Sequence, residues 1–154
     1  MSTQKLLLPY NFSNADRKAL EFAISTFGTR RDVVVTLFHA YQLLPGVEVH
    51  DKQVTDRLRS GMAYLQTKIS DLEKEFQSIK EELIQGGFLR DQVKELFKPR
   101  KKDVADEILE LNNIERFHCI VLSRRHGKIG RFFTGSVHQK LISSLKNVSL
   151  CIVT

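Results

Sequence analysis

What the chain lacks narrows the field first. It has only two cysteines, Cys119 and Cys151, and both stand in apolar, strand-like runs. That excludes a disulfide framework and reads as buried thiols in a reducing compartment. No cysteine–histidine spacing suits zinc. No apolar run approaches the length of a membrane span, so no membrane association is expected. Met1-Ser2-Thr3-Gln4-Lys5 has no signal-peptide core, and the cytoplasm is the expected compartment. The five histidines are dispersed, and neither a serine–histidine–acid set nor a carboxylate pair can be located, so no fast catalyst is expected. A phospho-acceptor domain is excluded too, because the first apolar run ends without an acidic pair.

What remains is an ordinary globular mix. The 154 residues are 42% hydrophobic and 27% charged, enough for one domain over 1–154 with a core on both faces of a sheet. Net charge is +6, which favours acidic partners, phosphates among them. The lysines and arginines are scattered and no recognition-helix pattern appears, so nucleic acid is not an expected partner.

Strand-like and helical stretches alternate along the chain. Lys5–Tyr10 is a short buried strand limited by Pro9. Ser13 and Asp16 make a near capping box for a helix with Ala19, Leu20, Ala23, Ile24 and Phe27 on one face and Gly28 at its end. Asp32–Tyr41 is rich in β-branched residues and reads as a central strand. Pro45-Gly46 marks a turn. Then Leu58, Met62, Leu65, Ile69, Leu72, Phe76, Ile79 and Leu83 alternate steps of four and three, with Val54 as an early member. This stripe predicts a helix from about Asp51 to Gln85, stopped by Gly86-Gly87. At about 50 Å it is longer than a crossover needs, so part of it should overhang the sheet and offer a face to a partner helix. Val93–Lys98 reads as an edge strand, and Pro99–Lys102 as a basic loop. Asp103 caps a helix through Leu111 that Asn112-Asn113 should end. Phe117–Leu122 and Ser149–Thr154 are the last two strands. The alternation predicts a parallel, doubly wound sheet.

The richest stretch lies between the fourth strand and the last helix. After Leu122 come Ser123-Arg124-Arg125-His126-Gly127-Lys128-Ile129-Gly130-Arg131, then Phe132-Phe133-Thr134-Gly135-Ser136-Val137. Ser136 suits the N-cap of a helix carrying Val137, Leu141, Ile142 and Leu145. Strand, basic glycine loop, helix N-terminus is how α/β proteins build anion sites.

This segment resembles the Gly-x2-Gly-x9-Gly-(Ser/Thr) signature of the universal stress protein family. Gly127 matches the second glycine, Gly135 the third and Ser136 the hydroxyl. Arg124 stands at the first glycine, and seven residues rather than nine separate Gly127 from Gly135. Asn11 stands where the family has an aspartate that meets adenine, and Ala40 follows His39 as the family's small pocket residue. The resemblance covers nearly the whole chain. It implies a five-stranded sheet of order 3-2-1-4-5, like the adenine-nucleotide hydrolases, here with an extended second helix. It also implies ATP as ligand. Gly127, Gly135, Ser136 and Val137 would hold phosphate and ribose, with Arg124, Arg125 and His126 beside them, and Asn11 and Ala40 would meet the base. Arg124 either closes that pocket or lends a guanidinium to the phosphates.

The function so implied is a stress-response regulatory or protective protein with a degenerate ATP site and no activity beyond slow ATP hydrolysis. The alternative is a nucleotide-free interaction module. In either case the last strand, an apolar edge, should pair with its copy in a homodimer. The long helix is the candidate surface for a different partner.

Overall fold

The computed structural model describes residues 2–42, 52–124 and 130–154, without the side chains of 52–58, 60 and 130–136. Five strands alternate with four helices: β1 Gln4–Pro9, α1 Asn14–Phe27, β2 Val33–Tyr41, α2 Lys52–Gln85, β3 Val93–Pro99, α3 Val104–Glu115, β4 Cys119–Ser123, α4 Gly130–Ser144 and β5 Ser149–Val153. All strands run parallel in the order β3-β2-β1-β4-β5. The predicted Pro45-Gly46 turn lies outside the described residues.

Strand alternation divides the core into two layers. Leu6 and Leu8 of β1, with Val33, Val35 and Leu37 of β2, face α1 and α2, where Leu20, Phe76, Ile79 and Leu83 fill the layer. Leu7, Phe38, Ile120 and Leu122 face the other way and meet Ile108 of α3 and Leu141 of α4. The β1 triplet of leucines is therefore buried on both faces, as a central parallel strand requires.

The ends of the elements decide the geometry of the loops. Ser13 caps α1 through a full capping box with Asp16. Gly28 ends α1 as the sequence suggests, but with right-handed backbone (φ −60°) rather than a left-handed cap. Its smallness serves a close approach instead. A Cβ there would lie 2.6 Å from Ile24 O and 2.8 Å from Gly86 O, so the ends of α1 and α2 meet backbone to backbone. α3 runs past Asn112-Asn113 to Glu115, where Arg116 turns left-handed (φ 54°) and donates its N–H to Asn112 O. Asn112 stays helical, and its side-chain Oδ1 accepts Phe117 N at 3.0 Å.

The second correction concerns α4. It begins at Gly130, not after Ser136, so Ser136 and Gly135 lie within a helix rather than at its mouth. Residues 131–134 contain no proline and no turn-former, and a nucleated helix propagates through such a run.

Candidate functional site

At the carboxyl ends of the strands, where the chain winds in opposite directions from β1 and from β4, the sheet opens into a cavity of about 920 Å³. This is where open parallel sheets bind ligands. Pro9 and Asn11 follow from β1, Gln42 from β2, and Leu122 and Ser123 from β4. Arg100 to Ala105 and Ile108 form one wall, and Val137, His138 and Lys140 of α4 the other.

Two buried carboxylates hold the loops of this mouth. Asp16, only 3% exposed, accepts four hydrogen bonds: Asn11 N at 3.0 Å, Ser13 N at 3.1 Å and Ser13 Oγ at 2.8 Å on Oδ2, and Ser123 Oγ at 2.6 Å on Oδ1. The two backbone donors flank Phe12, whose left-handed backbone (φ 61°) is rare for an aromatic residue. The carboxylate thus fixes the turn that presents Asn11 to the cavity. Three of these bonds fall on Oδ2 and one on Oδ1, and the residue lines the cavity.

Glu107, 2% exposed, does the same for the basic loop. It accepts Lys101 N at 2.7 Å and Lys102 N at 3.1 Å, and pairs with Lys98 Nζ at 2.9 Å. Burial opposes its ionisation, but the bonds from Lys101 N, Lys98 and Lys102 N outweigh this and hold the carboxyl below its ordinary range. Sequence reading missed Glu107, although a signal was there. It shares the apolar stripe of α3 with Val104, Ile108 and Leu111, where a lone acid needs a partner.

The cations around the mouth are not equivalent. Lys102 pairs with Glu110, and Lys140 with Asp103 and Asp106. Arg100 and Lys101 line the cavity with no carboxylate partner among the described residues. Arg100 is oriented by its backbone, whose N–H donates to Tyr41 O at 2.7 Å.

Of the residues singled out from sequence, Asn11 and Val137 line the cavity. Ala40 does not: it is half-buried against the α3–α4 layer, and β2 runs on so that Gln42 reaches the mouth instead. Arg124 is exposed and is not among the lining residues; its N–H extends the β4–β5 ladder by donating to Val153 O at 2.8 Å. Arg125, His126 and Gly127 lie outside the described residues, as do the surroundings of Gly135 and the side chain of Ser136. His39 is structural. Its Nδ1–H donates to Tyr10 O at 2.7 Å and its ring packs between Phe12 and Phe97.

A five-stranded parallel 3-2-1-4-5 sheet with helices on both faces and a cavity at its winding switch is a doubly wound, Rossmann-like α/β fold. Residues 2–148 match the universal stress protein family, and the chain belongs to it. Solved structures share the fold. The UspA protein of Lactobacillus plantarum is 12% identical, with 100% of this chain and 99% of that chain covered and a TM-score of 0.68. The universal stress protein of Archaeoglobus fulgidus in complex with dAMP is 18% identical, with both chains covered to 100% and a TM-score of 0.61. A family protein of Arabidopsis thaliana with AMP bound is 13% identical over 97% of this chain and 90% of that one, with a TM-score of 0.52. No curated protein matches the sequence.

Proposed function

We propose that this chain is a regulatory protein that binds an adenine nucleotide in the cavity at the β1–β4 switch and responds through stability and shape rather than turnover. One observation carries the reading: Arg100 and Lys101 face a cavity of about 920 Å³, unpaired among the described residues, while Asn11 offers an uncommitted side-chain amide on the opposite rim. The cations suit phosphate and the amide suits a base edge. Family relatives with dAMP and AMP bound make adenine the base to test first. Here the phosphate contacts would come from the β3–α3 loop. ATP is the nucleotide with most charge to offer that rim. A stress role and a cytoplasmic location follow as part of the same reading.

The test is thermal unfolding with and without ATP and magnesium, since a ligand bound only by the folded state raises the midpoint by mass action. A rise in wild type that is lost in R100E/K101E supports the reading. No rise at millimolar ATP, with no heat in titration calorimetry, refutes it.

A second reading, an interaction module that works as a dimer, is favoured by β5. This edge strand pairs only with β4 among the described residues and leaves Ile152 38% exposed. Pairing two such edges across a two-fold axis would cover it. Light scattering on Ile152→Lys separates this from the nucleotide reading, which that change leaves intact.

A further inference from the structure

Two thiols meet on the α1 face of the sheet, away from the cavity. Cys119 opens β4, and Cys151 lies in β5, the edge strand. Both pack against the core layer that α1 covers, and both are half-buried rather than enclosed. Their sulfurs stand 3.8 Å apart. Neither residue lines the cavity at the winding switch.

Register decides what this pair can do. Cys119 is level with Ser149, and Val121 with Cys151, so the two cysteines are two positions out of step along parallel strands. At about 3.3 Å per residue along a strand and about 4.8 Å between strands, their Cα atoms are about 8 Å apart. A disulfide needs Cα atoms within about 6.8 Å, so closing one here would have to pull β5 along β4. A metal ion adds two bonds of its own and spans the gap with the backbone in place. Two sulfurs each about 2.3 Å from one soft ion lie about 3.8 Å apart at a tetrahedral angle and about 4.6 Å apart when opposed. The observed pair stands at the bent end of that range, which leaves the ion a further position open to solvent.

The donor set selects the ion. Zinc in proteins takes four ligands, or three and a water, and among the described residues no group of three or more histidine, cysteine, aspartate or glutamate side chains could hold a metal. Two thiolates alone suit a soft ion of low coordination number, and that is Cu(I). Charge agrees. Burial first, then the neighbouring thiol, pushes Cys119 up to about 12. A cation between the sulfurs reverses the second cause, because each thiolate then faces a positive charge.

We propose that Cys119 and Cys151 form a dithiolate site for Cu(I) on the β4–β5 edge, separate from the nucleotide cavity. Binding replaces two S–H bonds with two S–Cu bonds and releases two protons, and neither sulfur nor copper changes oxidation state. The ion then ties the edge strand to β4.

The test offers Cu(I), kept reduced without oxygen, to the full chain in competition with a coloured cuprous chelator. Wild type should hold one equivalent. Cys119→Ser and Cys151→Ser should each bind more weakly by more than the roughly ten- to hundredfold that loss of a mere supporting group costs a metal site. In loaded wild type both thiols should be shielded from alkylation, and X-ray absorption should show sulfur as the copper ligand. A wild type that cannot compete with the chelator overturns the proposal, as does a single variant that competes as well as wild type. So does loaded protein whose thiols alkylate as fast as before loading. That last measurement needs wild type alone, so it decides the case if a serine variant fails to fold.

Discussion

Ser123 Oγ donates to Asp16 Oδ1 at 2.6 Å, which fastens the end of β4 to the first turn of α1. The two residues belong to the two arms that part at the winding switch, so this bond sets the width of the cavity's floor. Asp16→Asn should therefore do more than remove a cap. It swaps one acceptor oxygen for an NH₂ that faces backbone and hydroxyl donors, and it frees Phe12 from its left-handed turn. The expected loss is about 2–3 kcal/mol, against about 1 kcal/mol for Ser123→Ala. Urea unfolding of the two variants would check the order.

Glu107 supports a second prediction. Its folded-state pKa lies below its ordinary value of 4.5, so its contribution is present above that pH and lost as pH falls through the folded value. Wild type should lose stability over that acid window, and Glu107→Gln should lose less there. At neutral pH the variant should already be weaker by about 2–3 kcal/mol, since two backbone N–H groups and Lys98 lose a charged acceptor. Stability against pH for both proteins tests the sign and the window together.

His39 acts in the same direction over a higher pH window. Burial pushes its pKa below the ordinary 6.5, and this outweighs the bond to Tyr10 O. The unfolded chain then binds a proton that the folded chain refuses. Stability should be full above about pH 6.5 and fall below it, by at most about 1.4 kcal/mol per pH unit from this one group. His39→Phe should flatten that portion of the pH profile.

The meeting of α1 and α2 makes a fourth test. Gly87 has φ +125°, and a Cβ on it would lie 2.8 Å from Gly28 O. Gly87→Ala carries both strain and a backbone clash, so it should cost about 2 kcal/mol or more. Gly86→Ala would press on Ile24 Cγ2 at 2.5 Å and Glu82 O at 3.1 Å but carries no positive-φ strain, and should cost less than Gly87→Ala. Melting temperatures of the two variants would separate these causes.

How much of this was legible depends on the distance over which each residue acts. Strand order was reached through resemblance, while the elements were readable from local period: the Leu6-Leu7-Leu8 run, the β-branched stretch of β2 and the stripe of α2. The Ser13–Asp16 cap was visible because its partners are three apart. The bond from Ser123 to Asp16 was not, since the two are 107 positions apart and nothing local marks it. The start of α4 was misjudged because Gly135-Ser136 looks like a helix entrance, whereas propagation from Gly130 overrides that cue. Asn11 lines the cavity, a position its place just after β1 makes local. Arg100 and Lys101 were read as part of a basic loop, but which cations stay unpaired depends on Glu107, Glu110, Asp103 and Asp106, whose positions only the fold supplies.

The two cysteines give the chain a built-in clock. Cys119 Sγ and Cys151 Sγ lie 3.8 Å apart on neighbouring strands, and burial first, then the neighbouring thiol, pushes Cys119 up to about 12. So long as β5 stays in place, Cys119 is a protonated and unreactive sulfur at neutral pH. Each time the edge lifts, water reaches Cys119 and it becomes an ordinary nucleophile. The rate at which a thiol reagent labels Cys119 therefore counts the openings of β5, and anything that seats on that edge, a second copy included, slows the count.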